Sequence, residues 1–375
     1  MGIGYPALAL KLKPIANYFI DAFRILIIPV LFLNLMGCLA KTRRLSELGE
    51  LGFKTLIYFE ILSLLAILGG MLVAEIFGPG RAFPLLKTTA QPSYADFSLW
   101  QTLEHTYLHS SHLQVLSFAL LLGLLLMRFR QRSQVLFVFF ERCAEITLKL
   151  VAYCLKVVPV AAFAAVSYSV AKLGVESIRP LIEFVLFLYL GNVLFVLLVF
   201  APILHLCKAS LWSLLKDLRE EFLIVIGTAS SLTAMPGLIS KMAQRSEVAA
   251  LAPIVIPLGY SFNLSGSNFY LGYALVFLAQ ASGIDLNWTQ YGLILLLTLI
   301  TSKGATAVPG SALMVVTASI IVIPQISNEG LVYLLAIERL LKCRPLTNLL
   351  GHAVACLAIS SWMRNKSDAA RQLMN

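Results

Sequence analysis

Seven stretches of the chain are apolar for long enough to approach or cross a lipid bilayer, at residues 18–40, 56–77, 113–127, 148–171, 181–206, 252–280 and 331–362. A crossing helix needs roughly 20 such residues. Of 375 residues, 59% are hydrophobic and 13% charged, about half the charged share of a soluble domain. Only helices and closed barrels satisfy their backbone in lipid, and these runs have helical length. The sequence therefore predicts an all-α polytopic membrane protein, which excludes a nucleic-acid-binding module, a secreted disulfide scaffold and a cytosolic enzyme. The net charge of +10 needs no polyanion partner, because Lys and Arg accumulate in cytoplasmic loops. The six cysteines stand singly, without Cys-x-x-Cys spacing, and read as small apolar residues.

Lys41, Arg43, Arg44 and Lys54 lie between the first two runs, and Arg128, Arg130, Arg132 and Arg142 follow the third. Both clusters are cytoplasmic on the positive-inside rule, which places residues 78–112 outside and the tail 363–375 inside. Two shorter stretches, 293–301 and 312–323, are each about half a span and flank Ser302 to Ser311. They read as a re-entrant hairpin. Residues 222–226, 227–236 and 237–242 repeat the design from the cytoplasmic side. Short, Gly/Pro-interrupted apolar segments in corresponding positions of two halves point to an inverted-repeat transporter with a midplane site. A surface loop between short helices is the plainer alternative.

Polar residues in the long runs carry the functional expectation. Tyr260 to Asn268 is a polar stretch with a glycine inside a helix, where glycine costs stability. It suggests an unwound segment with Asn263, Ser265, Ser267 and Asn268 as ligands, although small-residue helix packing also explains it. The last run contains Glu338, Arg339, Lys342, Arg344, Asn348 and His352. Charges at membrane depth face a cavity by default, and Arg344, Asn348 and His352 share a helix face. Glu338 and Lys342, four apart, are expected to pair. Arg344 suits a carboxylate, while snorkelling accounts for Glu338 and Arg339 near a helix end.

With these residues the chain resembles the dicarboxylate/amino acid:cation symporter family, the glutamate-transporter-like fold, and within it the bacterial C4-dicarboxylate branch. Arg219-Glu-Glu-Phe-Leu-Ile-Val-Ile-Gly-Thr-Ala-Ser-Ser231 resembles the first hairpin, and Ala252 to Ser267 the Asn-Met/Leu-Asp-Gly-Thr helix. Thr301-Ser-Lys-Gly-Ala-Thr-Ala-Val-Pro-Gly-Ser311 resembles the second hairpin, and Leu346-Thr-Asn-Leu-Leu-Gly351 the final helix. The likeness runs from about Leu12 to the tail, with no counterpart of the family's first crossing helix. It implies a homotrimer in the bacterial inner membrane, moving dicarboxylate by an elevator motion. Scaffold segments would be 1–53 and 79–178. The transport domain would be 54–78 and 179–362, with hairpins at about 215–243 and 288–324, an unwound helix at 250–281 and a final helix at 329–362. Carried over, Arg344, Asn348, Lys342, Ser230, Ser231, Ser267, Val308, Pro309 and Gly310 would bind substrate. Asn263, Gly259, Ser265, Asn348 and His352 would stand at cation positions.

The departures matter as much. The motif's aspartate is Ser265 here, and the final helix's sodium-site Asp or Asn is His352. Sodium needs hard oxygen ligands, so these changes weaken or abolish its coupling. Lys342 stands near the aspartate that binds an amino group in amino-acid carriers, favouring a dianion. The expectation is a carrier of C4-dicarboxylates or glutamate-like anions with no cofactor and Na+ or H+ as coupling ion. Proton linkage through His352 and exchange are both compatible with it, as is a relative that binds without translocating. His105, His109 and His112 have a metal-binding spacing, but a solvated outer loop explains them and no metal site is assigned. A serine hydrolase using Ser230 or Ser231 with His352 lacks the Gly-x-Ser-x-Gly elbow.

Overall fold

Prolines and glycines punctuate the helices where their chemistry demands it. In the computed structural model, which describes residues 2, 4–47, 49–83, 111–128, 134–304, 307, 310–320, 326 and 330–372, all the regular structure among these residues is helical. Helices α1 (Pro6–Leu10), α2 (Lys13–Glu47), α3 (Glu50–Phe77), α4 (Ser111–Arg128) and α5 (Gln134–Cys154) are followed by α6 (Val158–Leu173), α7 (Ile178–Phe195) and α8 (Ala201–Leu206). Pro6, Pro159 and Pro202 sit in the first turns of α1, α6 and α8, where a missing N–H costs nothing. Gly78 closes α3 in the left-handed conformation at φ 55°, as a helix C-terminus favours. A π turn, Val196–Phe200, joins α7 to α8, absorbing the hydrogen bond that Pro202 cannot make.

The second half contains two helical hairpins and two interrupted helices. The first hairpin runs from α9 (Leu211–Asp217) through α10 (Arg219–Thr228) to α11 (Met235–Ala243). Its base is tied by Lys241 Nζ, 2.9 Å from Glu220 and 3.3 Å from Glu221, and by the Arg245–Asp217 pair. Next come α12 (Ala252–Phe262) and α13 (Ser265–Ala281). The second hairpin joins α14 (Trp288–Thr301) to α15 (Ser311–Ser319); Thr301 Oγ1 and Ser319 Oγ lie 3.1 Å apart between its arms. An Asn287/Gln290 capping box starts it, earlier than apolarity alone indicated. Last are α16 (Gly330–Ile337) and α17 (Cys343–Gln372).

Helix α13 is the core: every residue from Ser265 to Ala279 is buried. It packs on α3 through reciprocal glycines. A Cβ at Gly70 would lie 1.9 Å from the Phe269 carbonyl oxygen, and one at Gly272 would lie 2.3 Å from that of Ile67. Small residues permit such backbone approach between membrane helices. The opposite side of α3 exposes Ile61, Leu65, Leu68, Leu72 and Ile76, an apolar stripe suited to lipid rather than water. Glu50–Phe77, Ile178–Leu206 and Cys343–Arg364 are long and apolar enough to cross a membrane.

Three sequence expectations need correction. The run 148–171 is not one helix, because α5 ends at Cys154 and Pro159 starts α6 after a 3-10 turn. The run 331–362 is broken too: Glu338–Leu340 is a 3-10 turn, and α17 restarts at Cys343. Pro345 cannot accept a place deeper than a first turn, so the helix begins just before it. Gly266, read as a mark of unwinding, is itself helical. Replacing Gly70 by leucine is expected to cost roughly 1–3 kcal/mol or more by overpacking, whereas Gly227→Ala, with nothing within 4 Å of the new Cβ, should leave the thermal unfolding midpoint unchanged or raised.

Candidate functional site

The site is built around the break between α12 and α13. Asn263 is extended (φ −147°, ψ 102°) and Leu264 is also non-helical (φ −103°, ψ 76°). In an unbroken helix the carbonyls of Phe262 and Asn263 would accept from the amides of Gly266 and Ser267. Here other elements supply all four partners. Lys303 Nζ donates to Phe262 O at 2.8 Å, and His352 Nε2 lies 3.0 Å from Asn263 O. Asn348 Oδ1 accepts from the Gly266 and Ser267 amides at 2.8 and 3.2 Å, while its Nδ2 donates to Ser267 Oγ at 3.1 Å. The close approach that allows this requires Gly266, since a Cβ there would lie 2.3 Å from Arg344 O.

The proposed cation ligands are brought together, but they are already engaged. Ser63 Oγ donates to Asn263 Oδ1 at 3.2 Å, and Ser265 Oγ lies 3.0 Å from Asn263 Nδ2. Gly259 O accepts from the Asn263 amide at 2.9 Å. The fully buried His352 packs against Tyr260, with ring centroids 4.0 Å apart and the rings tilted by 53°. Among the described residues no carboxylate joins this group, so the donor set fits a hard cation poorly.

One turn before Asn348 on the same face of α17, Arg344 is buried against Glu338 at 2.5 Å, with its guanidinium 4.3 Å above the Tyr270 ring. The expected Glu338–Lys342 pair is thus replaced by Glu338–Arg344, because the break at Leu341 and Lys342 turns the two residues apart from helical register. Arg344 Nη1, Glu338 Oε2 and Tyr270 OH are buried without a hydrogen-bond partner among the described residues. Arg344 and Glu338 border a small cleft, lined also by Ala229 and Gly310 from the two hairpins, by Lys342, and by Val158 of α6.

The hairpins also meet directly, since Ser230 Oγ donates to Ala307 O at 2.8 Å. Ser231 is fully buried, and its carbonyl accepts from Tyr260 OH at 2.7 Å. Neither serine bonds to His352, so no nucleophile and base are paired. Val308, Pro309, His105 and His109 lie outside the described residues, as does the His112 side chain. Lys303 escaped the sequence reading although a lysine between apolar half-spans is a signal in itself; Tyr260 and Tyr270 carried none. Glu338→Gln should cost roughly 3–5 kcal/mol by leaving a buried guanidinium unpaired. The Glu338→Leu/Arg344→Leu double variant should recover most of that loss in detergent unfolding midpoints.

A model of the sodium:dicarboxylate symporter family matches residues 1–362. Among similar proteins, C4-dicarboxylate transport protein 1 of Ralstonia nicotianae is 35% identical, with 96% of this chain and 88% of that protein aligned. The C4-dicarboxylate transport protein of Rhizobium leguminosarum bv. trifolii is 34% identical over 99% of this chain and 87% of its own length. That of Burkholderia ambifaria is 34% identical, covering 96% and 88%. These are transport proteins rather than enzymes, and the hydrolase alternative falls away. The four motifs read from the sequence, together with this match over nearly the whole chain, establish that the protein belongs to the sodium:dicarboxylate symporter family.

Proposed function

We propose that this chain carries a small C4-dicarboxylate across the bacterial inner membrane without sodium coupling. The observation that carries the reading is the cleft itself: a buried arginine opens toward the tips of both hairpins. One substrate carboxylate engages Arg344, whose Nη1 has no protein partner among the described residues, in the geometry guanidinium offers a carboxylate. Lys342 adds a second cation on the cleft wall and disfavours an ammonium. Ser230 and Gly310 border the substrate from the two hairpin tips, with Val308 and Pro309 completing the second by resemblance. Ser267, Ser231 and Asn348 hold the surrounding backbone.

Sodium coupling is lost in this reading because the Gly259 carbonyl, the Asn263, Ser265 and Asn348 side chains and His352 Nε2 bond to one another and to the helix break, and the one buried atom left without a partner on His352 is a nitrogen, Nδ1, rather than a hard oxygen. Exchange against an internal dicarboxylate is the second reading, favoured by the same observation. The re-entrant hairpins move with α3, α7 and α12–α17 as an elevator against the scaffold of a homotrimer, with the C-terminus cytoplasmic.

Purified protein in liposomes loaded with unlabelled succinate is expected to take up labelled succinate. The Arg344→Ala/Glu338→Ala double variant, which leaves no lone buried charge, should reduce uptake roughly 30-fold or more. Absence of uptake, or a double variant as fast as wild type, would refute the assignment.

A further inference from the structure

Lys303 lies in the 3-10 turn Ser302–Gly304 that ends the first arm of the second hairpin. Its side chain is 12% exposed; its ammonium sits 2.8 Å from the Phe262 carbonyl and 2.8 Å from Glu60 Oε1 of α3. Three elements therefore converge on one positive charge: the second hairpin, the C-terminal end of α12 and α3. Both acceptors are negative, one as a carboxylate and the other as the negative pole of α12. A neutral donor would satisfy the lone carbonyl, and a lysine at membrane depth costs roughly 2.5–3.5 kcal/mol on insertion scales. The place between Glu60 and the end of α12 is thus one that stabilises a positive charge. In secondary carriers, unwound carbonyls and half-helix C-termini are where coupling cations sit.

We propose that Lys303 is the tethered cation of this helix break, docking the second hairpin onto α3 and α12 in the place a free cation would otherwise take. The inference deepens the sodium-independent reading above and rests on it for its role in transport. The bridge makes Lys303 and Glu60 positioning residues: neither borders the cleft, and both act through the second hairpin.

The test needs no substrate. Thermal unfolding of the purified full-length protein in detergent is measured in choline, ethylammonium and sodium chloride at equal ionic strength. Wild type is expected to melt alike in all three. Lys303→Ala should melt several degrees lower in choline and regain at least half of the loss in ethylammonium, which fits the vacated space, or in sodium. Adding Glu60→Gln to Lys303→Ala should abolish that recovery. Lys303→Met, which keeps the side-chain stem, should melt as low as Lys303→Ala in choline, separating lost charge from lost packing. Wild-type melting of either single variant, or a loss equal in all three salts, would overturn the proposal. A wild type that fails to carry dicarboxylate would refute the transport reading and leave this measurement standing.

Discussion

Four helical hydrogen bonds that would cross Asn263 and Leu264 are missing from the middle of the most buried path in the molecule, and the arrangement around the break follows from replacing two of them with side chains. An unpaired amide or carbonyl away from water costs several kcal/mol, so a break at Asn263 and Leu264 persists only where donors and acceptors are delivered to it. Lys303 from the second hairpin and His352 from the last helix supply the donors, and Asn348 supplies the acceptor. These three side chains fix where the second hairpin and α17 stand relative to α12 and α13. Arg344 lies two turns before His352 on α17, so satisfying the break also sets the arginine's position beside the cleft.

The same economy explains the glycines. Asn348 reaches the amides of α13 only because Gly266 lets α17 approach, and α13 is held against α3 by Gly70 and Gly272. Packing of small residues substitutes for the hydrophobic drive that lipid does not provide between helices. Charge is handled by pairing: Glu338 neutralises the buried Arg344, and the largely buried Lys303 meets the more exposed Glu60. Each pair joins segments distant along the chain or across a break, and halving the fully buried Glu338–Arg344 pair would be strongly destabilising.

Much of this was legible in the sequence, for physical reasons. Long apolar runs declare helices, so α3, α4 and the α7–α8 path were read nearly at their observed limits. The polar stretch around Asn263 and the charges near Arg344 stood out because polar groups are costly in lipid. Breaks were harder to place. Pro159 and Pro345 restart helices at α6 and α17, yet the surrounding apolarity concealed them. Pairing across a break was not legible either: helical spacing matched Glu338 with Lys342, and only the turn at Leu341 and Lys342 directs it to Arg344. Lys303 and Glu60 are far apart in sequence, and no local pattern links them.

By resemblance, Ser265 stands where the family motif has an aspartate and His352 where it has Asp or Asn, and with side chains already bonded around the break, independence from sodium is the proposal on which the transport reading turns. It is tested most directly by the initial rate of labelled succinate uptake into liposomes as sodium is replaced by choline at constant pH and ionic strength. The same rate is expected at every sodium concentration, including none. A rate that vanishes without sodium and saturates as sodium is restored would contradict it, and would mean that these side chains release the break to a free cation during transport.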